Sequence, residues 1–194
     1  YGSPLMSLRP NSILELLTDT MTSAAAIFLS GPIGSGKTTL GRMLAQALGA
    51  VFVDGDHHSD QHKPWFASSL STARSIVRTV REETINGSDV VVAYPLRCLE
   101  WIFYRRRLAE WDTRTIFVSL GASYDAIASP NRGRAFSSDE LTRIKEMIAQ
   151  GYGARSFSDV FLRTDIGTPD SSLRVLIDEL ADLKPTLRSM PAFL

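Results

Sequence analysis

The chain is short of several things, and each shortage excludes something. It holds one cysteine, Cys98, in 194 residues. No disulfide can form within the chain, and a reducing compartment such as the cytoplasm fits. It lacks a charge excess, because 21 Lys and Arg balance 21 Asp and Glu. Proteins that grip nucleic acid usually carry a basic surplus to neutralise phosphates, so the balance argues against such a partner. No apolar run reaches the ~20 residues that a spanning helix needs, so no membrane role is expected. No secretory pattern, internal repeat, low-complexity tract or domain-splitting linker is visible.

What is present suits one globular core, with 44% hydrophobic and 22% charged residues. Residues 1–5, "YGSPL", read as a cloning remnant, with the native start at Met6 or Met21. Residues 6–20 read as an N-terminal helix, in which "NSILELLTDTM" (11–21) is a short amphipathic pattern capped by Asn11 or Ser12, and residues 21–194 read as a single domain. Five short apolar runs read as strands: "AAAIFLS" (24–30), "VFVD" (51–54), "DVVVAY" (89–94), "RTIFVSL" (114–120) and "DVFLRT" (159–164). Helical patterns separate them, over 37–48, over 65–85 as one helix or two, and over 99–111, 137–150 and 171–183. The fourth opens with a capping box, Ser137 with Glu140. Alternation of this kind predicts an α/β fold, a five-stranded parallel sheet with helices on both faces. Ligands of such sheets bind at the carboxyl ends of the strands.

At the first strand end stands "GPIGSGKT" (31–38), a full match to G-x-x-x-x-G-K-[ST] between a strand and a helix. Gly31, Gly34 and Gly36 let the backbone amides of Ile33, Gly34, Ser35, Gly36, Lys37, Thr38 and Thr39 close round phosphates. Lys37 can reach the β- and γ-phosphates, and the Thr38 hydroxyl can ligate magnesium. The pattern names a ligand, a nucleoside triphosphate with Mg²⁺, rather than a reaction. A Ras-type GTPase would need Asn-Lys-x-Asp, which is absent, and the length suits a small kinase.

The second strand ends in "VDGDHH", with Asp54 and Asp56 both able to point into the same cleft. Asp54 can hold a magnesium-bound water. Asp56 can orient an attacking hydroxyl and accept its proton. His57, beside them, is a candidate contact for substrate or phosphate. The third strand ends in "AYPLRC" with no carboxylate, which leaves Asp54 the metal role. Tyr94 and Arg97 should face the cleft there, and Arg97 could pair with a substrate carboxylate.

The stretch "GPIGSGKTTLGRMLAQALGAVFVDGD" resembles the opening of gluconate kinase and shikimate kinase, small P-loop kinases that phosphorylate a hydroxyl of a small acid. The Asp-Gly-Asp and "KPWFASSL" (63–70) are closer to gluconate kinase. The segment before Pro-Trp is shorter here than in gluconate kinases, and "AYPLR" stands where shikimate kinases carry three glycines. The resemblance implies a P-loop NTPase-type fold like that of nucleoside monophosphate kinases, with ATP and Mg²⁺ as cofactors and a small-molecule acceptor. It implies a substrate-capping segment near 57–75 and a lid near 129–138. In "SPNRGRAFSSDEL", Arg132 or Arg134 would swing over the transferring phosphoryl group. Arg155 would contact adenine or substrate, as an arginine does near this point in shikimate kinase. The expected activity is ATP-dependent transfer to a small, anionic acceptor by a monomer or homodimer. A nucleotide or nucleoside kinase, and an ATP-binding regulatory or toxin-like module with no metabolic acceptor, remain as alternatives.

Overall fold

A computed structural model describes residues 24–59, 65–130 and 133–183, with backbone alone over 65–68. The helix expected near 11–21, residues 60–64 of the capping segment, and Arg132 lie outside the described residues. Five strands form one sheet: β1 (Ala25–Ser30), β2 (Val51–Asp54), β3 (Val90–Ala93), β4 (Arg114–Gly121) and β5 (Val160–Arg163). Their order is β2-β3-β1-β4-β5, and every neighbouring pair is parallel. The helices are α1 (Lys37–Leu48), α2 (Trp65–Ile85), α3 (Cys98–Ala109), α4 (Tyr124–Ala128), α5 (Ser138–Ala149) and α6 (Pro169–Leu183).

β1 is central, and all six of its residues are buried. Successive side chains of a strand point to opposite faces. Ile27 and Leu29 therefore enter one core with Leu40 and Leu44 of α1 and Leu176 and Leu180 of α6. Ala26 and Phe28 enter the other with Ile76 and Val80 of α2 and Tyr104 and Leu108 of α3. Burying each large apolar side chain contributes ~1.5–3 kcal/mol, so a run buried on both faces anchors the sheet. That is why these strands read as continuous apolar runs rather than alternating ones.

Two short elements were not expected. Gly55–His58 forms a 3-10 turn, and α4 has five residues. Both are too short to show a periodicity. The α2 region, open to one helix or two, is one helix of 21 residues. The expected capping box is present, since Glu140 N–H donates to Ser137 Oγ at 3.2 Å and Ser137 N–H to Glu140 Oε2 at 3.0 Å. After β1 the chain crosses to β2 on one side, and later β4 lies on the other. The crevice at the carboxyl end of β1 is thus the switch point where ligands of open parallel sheets bind.

Candidate active site

The loop after β1 is shaped by close approach. Gly34 has φ 76°, and a Cβ there would stand 2.6 Å from Ile127 Cγ2 and 3.0 Å from Phe136 Cζ. Gly36 caps α1 with φ 89° and no side-chain bond, which leaves the first amides of the helix without a side-chain cap. From the far side, the Thr164 hydroxyl at the end of β5 donates to Ser35 carbonyl at 2.8 Å. Ser35 Oγ is buried with no hydrogen-bond partner. A buried polar atom left unpaired is costly, and here it sits in the cradle itself.

Lys37 Nζ donates to the carbonyls of Gly31 at 3.0 Å and Pro32 at 2.8 Å. Burial of the ammonium pushes its pKa down to about 8, against the pull of Asp56. Asp56 shows the opposite shift. Burial holds its carboxyl above the ordinary carboxylate range; Lys37 pulls it back and Asp54 pushes it further up. Lys37 and Asp56 thus sense each other across one cleft. Asp54 Oδ1 accepts the Asp56 amide at 3.3 Å and caps the 3-10 turn that carries Asp56.

The cleft has a volume of about 1090 Å³. Single small-molecule sites occupy ~300–1,000 Å³, so there is room for a nucleotide with a small acceptor. Its floor is the loop from Ile33 to Thr39. Asp56, Tyr94 and Arg97 line one wall, and Arg134, Phe136 and Tyr152 line another. Gly31 lies behind the floor, where a Cβ would meet Leu120 carbonyl at 2.5 Å. His57 is exposed beside Asp56, whereas His58 turns to α2, its Nδ1 2.8 Å from Ser75 Oγ.

Tyr94 packs on Gly55, where a Cβ would stand 2.5 Å from its ring. This contact sets the wall carrying Arg97 beside the Asp56 turn. Arg97 is held by Glu100, a residue the sequence reading passed over. Its signal was the i, i+3 spacing from the helix start, a capping position. Arg134 pairs with Glu140 at 2.8 Å, lies 4.7 Å over the Phe136 ring, and adds positive charge near Lys37. Phe136 packs with Ile33 and Ile127, so the segment after Gly133 touches the phosphate loop directly. The Arg155 guanidinium donates to Gln150 carbonyl at 2.8 Å and lies 4.2 Å over Tyr152, outside the cleft lining. Tyr152 stands in the cleft in its place.

A hard divalent cation fits this donor set. Thr38 and Asp56 line the cleft with a hydroxyl and a carboxylate, both oxygen donors, whereas Asp54 stands behind Asp56, outside the lining, with Oδ1 on the Asp56 amide. Among the described residues no three His, Cys, Asp or Glu side chains cluster, so an ion here would draw its other ligands from phosphate and water. Among the same residues no helix is long and apolar enough to cross a membrane.

Comparison with known proteins agrees with this geometry. The family model for shikimate kinase matches residues 33–64. The shikimate kinase of Acinetobacter baylyi is 49% identical over 73 residues, covering 34% of this chain and 41% of that protein. The matched stretches span less than half the length of the curated relatives. Among solved structures, a gluconokinase from Sinorhizobium meliloti 1021 superposes with TM-score 0.67 at 20% identity, over 86% of this chain and 97% of that one. A shikimate kinase from Acinetobacter baumannii in complex with shikimate gives 0.57 at 19%, over 86% and 98%. At these identities the likeness is one of fold. The chain thus resembles P-loop small-molecule kinases, in sequence around its phosphate loop and in fold over most of its length.

Proposed function

We propose that this chain is an ATP-dependent kinase that transfers the γ-phosphoryl group to a hydroxyl of a small molecule. The observation that carries the reading is the facing pair of Lys37 and Asp56, which share one cleft with room for two ligands. The amides from Ile33 to Thr39 and the Lys37 ammonium hold the triphosphate. Asp56 accepts a hydrogen bond from the acceptor hydroxyl and takes its proton as the oxygen attacks the γ-phosphorus. The bond from γ-phosphorus to the bridging oxygen breaks, and ADP leaves. A carboxylate of raised pKa is better matched to this proton than an ordinary one. Of the two lid candidates, Arg134, which lines the cleft, neutralises charge on the moving group, and closure of its segment keeps water from taking the acceptor's place. Thr38, and Asp54 through water, would hold magnesium, whose charge would offset that of the phosphates.

The names of the relatives support an acceptor of the size of shikimate or a sugar acid. The test is ADP release with Mg-ATP against sugar acids, sugars, cyclic polyol acids and nucleosides, with Lys37→Ala as the blank. Stimulation by one acceptor class, lost in the blank, supports the reading. ATP binding with no stimulation by any class overturns it in favour of a regulatory module.

A further inference from the structure

Resting on that reading, we infer that Arg97 and Glu100 form one recognition unit, and that the acceptor end they meet is an uncharged polyol rather than a carboxylate. Arg97 alone would anchor an acid. It is not alone. Its Nε donates to Glu100 Oε2 at 3.0 Å, its Nη2 reaches Oε1, and its backbone N–H donates to Oε2 at 3.1 Å. Both residues line the cleft. Capping the first turn of α3 needs one carboxylate oxygen, and here both oxygens are engaged.

Burial decides the consequence. Glu100 is 7% exposed, so water screens its charge poorly. A carboxylate drawn to Arg97 would come up against the Glu100 carboxylate in the same partly buried corner. Carboxylates only accept hydrogen bonds, and so does Glu100. A hydroxyl both donates and accepts, so it can give its proton to Glu100 and take one from Arg97. Vicinal hydroxyls match the pair; an acid matches half of it and is repelled by the other half.

The other lining cations do not alter this. Among the described residues they are Lys37, Arg134 and Arg143. Lys37 and Arg134 serve the phosphates in the proposed reaction. Arg143 pairs with Glu146 at 2.8 Å on α5, in the same helix as Glu140, the partner of Arg134. Tyr94 and its contact with Gly55 place the Arg97–Glu100 wall on the Asp56 side, where the acceptor must lie to reach the base.

The test uses the full chain, Mg-ATP, and acceptor pairs that differ only at one terminus, a sugar acid against its alditol, beginning with D-gluconate and D-glucitol. The quantity read is the ratio of kcat/KM values within each pair. For the wild-type protein the ratio should favour the alditol by at least ~10-fold, the scale of one hydrogen bond to a charged group. Glu100→Gln keeps an oxygen to cap the Arg97 amide and removes the charge. It should move the ratio toward the acid by ~10-fold or more. Because both acceptors are measured on one protein, a partial loss of folded material cancels. A wild-type preference for the acid overturns the inference without help from any variant. A ratio unchanged by Glu100→Gln overturns the role of the pair. Bound ATP with no stimulation by either member of any pair is a different result. It removes the transfer reading, and the inference with it.

Discussion

The two walls of the cleft are built on opposite principles. In the proposed reaction the phosphate side relies on backbone amides of near neighbours in the chain, from Ile33 to Thr39. The proposed acceptor side relies on side chains that come from separate segments: Asp56 after β2, and Tyr94, Arg97 and Glu100 after β3. The phosphate side is held by positions where a side chain does not fit. The acceptor side is held by the Arg97–Glu100 ion pair and by the contact of Tyr94 on Gly55. A backbone cradle can be specified by glycine spacing alone. A wall of distant side chains exists only once the sheet brings its strand ends together.

That contrast can be broken or sharpened by substitution. The largest effect is expected from Asp56→Asn, which should lower kcat by ~10²–10⁴-fold, the range of a positioned general base. ATP affinity, measured by calorimetry, should change little; a matching loss of ATP binding would place Asp56 with the phosphate side instead. Lys37→Ala should cost ~10²–10³-fold in kcat, the scale of one preorganised donor, and should weaken ATP as well. Single-turnover ADP release separates the two losses. Gly34→Ala tests the cradle itself. A φ of 76° and a Cβ 2.6 Å from Ile127 should cost about 1–3 kcal/mol, seen as a lower melting temperature together with weaker ATP binding.

The smallest expected effect lies outside both walls, at Asp165. The Arg163 guanidinium holds its carboxyl well below the usual carboxylate range, with help from the Ser123 amide at 2.8 Å. A carboxyl depressed by folding stabilises the native state above the ordinary carboxylate pKa of ~4. That contribution is lost as pH falls from there through the lowered value. Asp165→Asn should therefore melt below the wild type at pH 7, and the gap should shrink progressively below pH ~4. A gap that is constant down to the acid limit would show that the pairing contributes nothing.

Legibility in the sequence followed the range of the interaction. The strands were readable from continuous apolar runs, and α1, α3, α5 and α6 from periodicity and caps within their own segments. The Ser137–Glu140 capping box is the clearest case, since both partners lie within one turn. The 3-10 turn at Gly55–His58 and the five-residue α4 left no periodic trace. Ser123, which caps α4 by accepting from Ala126 N–H, was the signal available for that helix. Arg97 was readable as a strand-end cation, but its partner was not, because a glutamate three residues on reads first as a cap. Thr164 could not have been found at all, since its bond to Ser35 spans 129 residues.

By itself the sequence determined the phosphate loop and the two-faced core of the sheet. Both depend on local spacing: glycines that admit a left-handed backbone at Gly34 and Gly36, and apolar runs that must be covered on both sides. The tertiary structure decided the rest of the site. Only the strand order β2-β3-β1 brings the end of β3 beside the Asp56 turn, and only burial turns Glu100 from a helix cap into a charge the acceptor must meet. The reason is the same in each case. Hydrogen bonds within a turn are fixed by spacing along the chain, whereas the charge felt at a point in a cleft depends on which distant groups share it and how little water remains between them.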